Sequence, residues 1–145
     1  MSGLRKFAAS SFHHALILEA LFVLALTRIG LLVCHFRRVR RLSLLIGDCG
    51  RRITQRGVSP AVLVWAVETA KRKIPLRSTC FTEALAAEAL FRQHGHHPVL
   101  CIGASMEGGR FAAHAWLEND ETIVVGGPEA HIKQYTRFPD LDNIL

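Results

Sequence analysis

After Gly95 the chain changes its hydrophobic period, and this change limits the available folds more than any other feature. His97-Pro98-Val99-Leu100-Cys101-Ile102-Gly103-Ala104 is an apolar extended run, and Met106-Glu107-Gly108-Gly109 reads as a turn. Arg110 to Glu118 is a second extended run, followed by an Asn119-Asp120-Glu121 turn and then Thr122-Ile123-Val124-Val125-Gly126. Three short strands in sequence, joined by tight turns, imply an antiparallel meander. The residues before Gly95 carry helical patterns. The order is therefore helices first and then a helix packed on a small sheet, an α+β arrangement.

From Ala15 to Phe36 the sequence is nearly all apolar, broken by Glu19, Thr27, Arg28 and Gly30. Its length suffices to cross a bilayer, but a charge near the centre of a span costs about 2.5 to 3.5 kcal/mol. A buried or partner-facing helix is therefore expected in preference to a membrane span. Arg37-Arg38-Val39-Arg40-Arg41 follows directly. Four arginines beside an apolar helix suit anionic lipid headgroups or an acidic partner, and equally a solvated helix end.

Gly47-Asp48-Cys49-Gly50 reads as a turn, and Gly57-Val58-Ser59-Pro60 as a second break, with Ser59 as N-cap and Pro60 at the first helical position. The next helix, Ala61 to Lys73, is expected to bury a stripe of Val62, Trp65, Ala66 and Thr69. Lys71, Arg72 and Lys73 fill its last turn, and Pro75 stops it. This divides the chain into an N-terminal apolar and basic helical region, 1–57, and a core, 58–145.

A third helix is expected from about Thr79 to His94, with Gly95 as its stop and Phe81, Ala84, Leu85, Glu88 and Phe91 on one face. Cys80 lies at its start. A helix N-terminus offers unpaired N–H groups and a positive dipole end, which favour negative charge on a sulfur or an oxyanion. In the second strand, Ala112, His114 and Trp116 point to one face, and Phe111, Ala113, Ala115 and Leu117 to the other. The small alanines around His114 leave room for a helix end to approach, so Cys80 and His114 are a candidate nucleophile and base. The plainer reading is an inert buried thiol and a core histidine.

The formal charge of +6 and a pI near 9.7 admit acidic peptides, anionic lipid or nucleic acid as partners. No aromatic and basic interleaving or known module supports nucleic acid. The four cysteines, Cys34, Cys49, Cys80 and Cys101, form no C-x-x-C pair. With no recognisable secretion signal, a reducing cytoplasm is expected. His94, His96, His97 and Cys101 fit no common zinc spacing and are read as surface histidines and a structural thiol, so neither a metal nor another cofactor is expected. Trp116 is read as a core wall beside the site.

Three passages carry a resemblance: Cys80-Phe81-Thr82-Glu83-Ala84-Leu85-Ala86; His94-Gly95-His96-His97-Pro98-Val99-Leu100-Cys101-Ile102-Gly103; and Phe111-Ala112-Ala113-His114-Ala115-Trp116-Leu117-Glu118 with Val124-Val125-Gly126-Gly127. Strongest over residues 75–128, the chain resembles the lasso-peptide biosynthesis B2 proteins, leader peptidases with a transglutaminase-like, papain-type fold. Such proteins are also similar in carrying an apolar N-terminal helix followed by arginines. The resemblance implies a cysteine protease that cuts the leader from a ribosomally made precursor peptide. Cys80 would then attack the scissile carbonyl and His114 would act as base and then acid. The implied partners are the precursor, a separate PqqD-like leader-binding protein and an asparagine-synthetase-like cyclase, with peripheral membrane contact through the N-terminal region as an added association.

The family pattern has an aspartate about a dozen residues after the histidine, placed to orient its ring. Here that place falls at Gly126. Glu129 is the nearby acid that could substitute. Otherwise a backbone carbonyl holds the ring, or the pair works as a dyad. The missing aspartate also keeps open an inactive transglutaminase-fold adaptor or membrane-associated scaffold of the same maturation complex.

Overall fold

The computed structural model describes residues 2–50, 57–74 and 79–139, with side chains described from residue 11 onward. Pro75, expected to stop a helix, lies outside these residues. The elements run α1 (Ser2–Val33), α2 (Phe36–Gly50), α3 (Pro60–Lys73), α4 (Cys80–Gln93), β1 (Val99–Glu107), β2 (Arg110–Asn119), β3 (Thr122–Val125), α5 (Glu129–Ile132) and β4 (Thr136–Arg137). Among the described residues the strands form one sheet in the order β3-β2-β1-β4, with every pairing antiparallel. The expected α+β fold, helices packed on a small antiparallel sheet, is the one observed.

The meander forms where its turns place it. Gly108 and Gly109 have φ of 57° and 78°, the two positive values that a two-residue hairpin of the favoured twist requires. They set the β1–β2 register in which Gly103 faces His114 and Cys101 faces Trp116. Asp120 and Glu121 make the second tight turn, also with positive φ. A register shift falls between Leu117 and Glu118 where β2 meets β3. The short β4, which the sequence pattern does not announce, pairs with the far edge of β1.

α4 is the axis of the molecule. It packs against α1, α2, α3 and the sheet, and Thr82 through Phe91 are all buried, so it buries its whole circumference and not only the one expected face. One apolar core joins Leu16, Ala20, Val23 and Leu24 of α1 to Leu63, Ala66 and Val67 of α3, to α4, and to Leu100, Ala115 and Leu117 of the sheet. The core thus runs without interruption across the point between residues 57 and 58.

Two expectations on the helices are corrected. Gly47-Asp48-Cys49-Gly50 is the last turn of α2 and not a loop. Its glycine serves close approach: a Cβ on Gly47 would stand 2.9 Å from Cβ of Arg92 and 3.2 Å from the Ala89 carbonyl oxygen, so α2 lies directly on α4. In α3 the buried stripe is Leu63, Ala66, Val67 and Ala70, while Trp65 is exposed. The helix carries apolar residues in two adjacent phases, and α1 and α4 select the second. Ser59 and Pro60 do start α3 as expected.

Candidate functional site

Thr79 has an extended backbone and caps α4, its Oγ1 accepting the N–H of Thr82 at 3.2 Å. Cys80 is therefore the first residue of α4, in the turn whose N–H groups lack helical carbonyl partners. His114 sits in β2, its side chain on the same face as Trp116, and the two rings stack with centroids 6.3 Å apart. That face is covered by the α5 segment: His131 and Tyr135 lie with ring centroids 5.3 and 5.2 Å from that of His114.

Cys80 and His114 line one small cleft, about 340 Å³ in volume, together with Glu68, Lys71, Glu83, Gly126 and Gly127. Nε2 of His114 lies 2.6 Å from the carbonyl oxygen of Gly126. A carbonyl only accepts, so in the neutral ring Nε2 carries the hydrogen and Nδ1 keeps its lone pair. Gly126 has no side chain to hold the ring and supplies its backbone carbonyl instead, one of the alternatives left open by the sequence.

Gly126 must be glycine for this. Its φ is 120°, and a Cβ there would stand 2.5 Å from Cβ and 2.8 Å from Cα of Trp116. Glu129 is placed elsewhere. It begins α5, is exposed, ion-pairs with Lys133 at 2.9 Å and lines a neighbouring pocket with Ile132 and Tyr135. Trp116 is buried beside His114, in a small cluster with Cys101 and Ile132.

The same cleft carries an ion pair that sequence reading missed. Lys71 Nζ donates to Oε2 of Glu83 at 2.8 Å, and Glu68 lies 4.0 Å from the same ammonium. The hydrogen bond to Glu83 holds the Lys71 pKa above 10.5, its charge and that of Glu68 adding to the effect while burial and Arg72 oppose it. Glu83 stands three residues after Cys80, hence on the same helix face, and that spacing was the available signal.

The histidines before β1 are not all at the surface as expected. His94 is buried and lies 3.3 Å from Oε2 of Glu19 on α1, and His96 bonds the Val58 carbonyl oxygen at 2.7 Å. His97 is exposed. The first contact gives Glu19 a partner and fastens α1 to the C-terminal end of α4, and the second ties the segment before β1 to the one before α3.

A cysteine-led helix set against an antiparallel sheet with a histidine on its second strand defines the class: an α+β fold of the transglutaminase type. The family model described as the transglutaminase-like superfamily matches residues 23–139, and the chain belongs to that superfamily. Its members include cysteine protease-type enzymes. No curated protein and no solved structure matches the chain.

Proposed function

We propose that the protein is a cysteine peptidase that removes the leader from a ribosomally synthesised lasso-peptide precursor, supplying the free amine for macrolactam formation. The observation that carries the peptidase reading is the shared cleft of Cys80 and His114, with the imidazole held at Nε2 by the Gly126 carbonyl. The substrate class rests on the resemblance over residues 75–128.

In this reading His114 takes the thiol proton on Nδ1 and the Cys80 sulfur attacks the scissile carbonyl carbon. The backbone N–H of Cys80, in the first turn of α4, donates to the developing oxyanion. The tetrahedral species collapses, and the leaving amine takes the proton from His114. Water, deprotonated by the same nitrogen, then hydrolyses the thioester and restores the thiol. A separate PqqD-like protein presents the leader, and an asparagine-synthetase-like cyclase consumes the product.

The test is leader release, followed by mass spectrometry, from a lasso-peptide precursor, with a leader-binding partner protein present. Wild type is expected to cleave and Cys80→Ala to bind the partner without cleaving. Equal cleavage by the variant would remove Cys80 as nucleophile. A wild type that binds the partner yet never cleaves would make the chain an adaptor.

A further inference from the structure

The outer side of the α1–α2 corner takes no part in the core or the cleft. The inner face of α1, with Leu16, Ala20, Val23, Leu24 and Thr27, is buried. Its outer face exposes Leu18, Phe22, Ile29, Leu32 and Val33, the last two at 77% and 78%, and α2 adds exposed Leu42 and Leu45. A soluble surface seldom gathers so many large apolar side chains in one place. Between the helices runs an apolar groove of about 300 Å³, lined by Leu26, Ile29, Val33, Leu42 and Ile46, with Arg38 among its walls.

The charge around this surface is mostly positive. Between Glu19 and Asp48 the sequence holds five arginines and no acidic residue. Arg38 and Arg41 are exposed on α2, the helix that also exposes Leu42 and Leu45. An exposed apolar surface set among cations is the pattern of a helix that lies in a bilayer interface, with its side chains among the acyl chains and its cations at the phosphates.

We propose that the α1–α2 corner docks the protein peripherally on an anionic phospholipid bilayer. The apolar residues of α1 and α2 enter the acyl boundary, an acyl chain occupies the groove, and Arg38 and Arg41 meet the headgroup phosphates. A second copy of the chain fits less well. Parallel pairing of two copies sets one arginine run against the other. A membrane span by α1 would have to withdraw Leu16, Ala20, Val23 and Leu24 from the core and part Glu19 from His94. The docking surface is independent of the peptidase reading.

The experiment is co-sedimentation of the full chain with vesicles of phosphatidylcholine alone or with about a third phosphatidylglycerol, at low salt and at about 0.5 M salt. Wild type is expected to pellet with the anionic vesicles at low salt and to be released by high salt. Each cation near such a surface is worth about fivefold in partition, so Arg38→Gln/Arg41→Gln lowers binding about 25-fold. Leu32→Ser/Val33→Ser lowers it further, and both variants keep the wild-type melting temperature because all four side chains are exposed. Equal binding to both vesicle types, or undiminished binding of the arginine variant, overturns the proposal. So does wild type that resists high salt and alkaline carbonate, which means a span. A salt-resistant dimer that ignores vesicles and is lost on Leu32→Ser/Val33→Ser means a second copy instead.

Discussion

His114 donates its Nε2–H to the carbonyl oxygen of Gly126 across 2.6 Å. This one bond assigns the tautomer and leaves Nδ1 as the basic nitrogen. The group that holds the ring is a dipole and not a carboxylate. It orients the imidazole fully but offers only a partial negative charge to an imidazolium, which places the ring between an isolated histidine and a complete triad member.

If Nδ1 of His114 is the base, His114→Ala removes proton transfer while leaving the fold. The expected fall in kcat/KM for leader release is about 10²- to 10⁴-fold, the usual worth of a positioned acid–base group. Alkylation of Cys80 by iodoacetamide, in a background where exposed Cys34 and Cys49 are serine, is expected to slow as well. A variant that cleaves and alkylates at wild-type rates would separate His114 from the chemistry.

Gly126 is the position where an aspartate looks attractive and cannot be accommodated. Its φ of 120° and the 2.5 Å that would separate a Cβ from Trp116 make any side chain displace the strand end. Gly126→Ala is expected to destabilise by about 2 kcal/mol or more in urea unfolding and to lower activity by shifting the carbonyl from His114. Gly109→Ala is the control, since its φ is also positive but nothing lies within 4 Å of the added carbon. Similar losses at both positions would mean that backbone strain alone, without the Trp116 contact, sets the cost.

The meander was legible because Gly108-Gly109 and the alternation of Ala112, His114 and Trp116 act locally, within one hairpin. The phase of α3 was not, because Trp65 and Val62 are as apolar as Leu63 and Val67, and only the placement of α1 and α4 chooses between them. Gly47 misleads for a related reason. A glycine marks either a turn or a close approach, and which one depends on a helix forty residues away. At the site, Cys80 and His114 could be named from their residue types and the resemblance, but the Gly126 carbonyl could not, since every residue has one. Glu129 was attractive as a nearby acid, yet α5 turns its carboxylate to Lys133.

Arg40 and Glu88 test how α2 is held. Nη2 of Arg40 lies 3.7 Å from Oε1 of Glu88, and Nε of Arg92 lies 3.9 Å from the same oxygen. Glu88 is 1% exposed and Arg40 5%. Glu88→Ala leaves the Arg40 charge buried without this carboxylate, and the expected cost is about 3 to 5 kcal/mol. Arg40→Met/Glu88→Leu removes both charges and is expected to cost far less than the sum of the single changes. Additive losses across this cycle would show that the two charges do not interact.

Lys71 and Glu83 give the protein a pH-dependent increment whose sign follows from the raised Lys71 pKa. A lysine held above its ordinary 10.5 gives stability that is complete below that value and disappears as the pH rises through the folded pKa. The size is modest, about 1 kcal/mol or less, because the Lys71 side chain is 38% exposed and water screens the pair. Melting temperatures of wild type and Glu83→Gln should therefore differ at neutral pH and converge above 10.5. Comparing the two proteins at each pH cancels every contribution common to both, so convergence reports on this pair. A gap that stays constant through the alkaline range would mean that Glu83 stabilises α4 by its place in the first turn, facing the helix dipole, and not by holding Lys71.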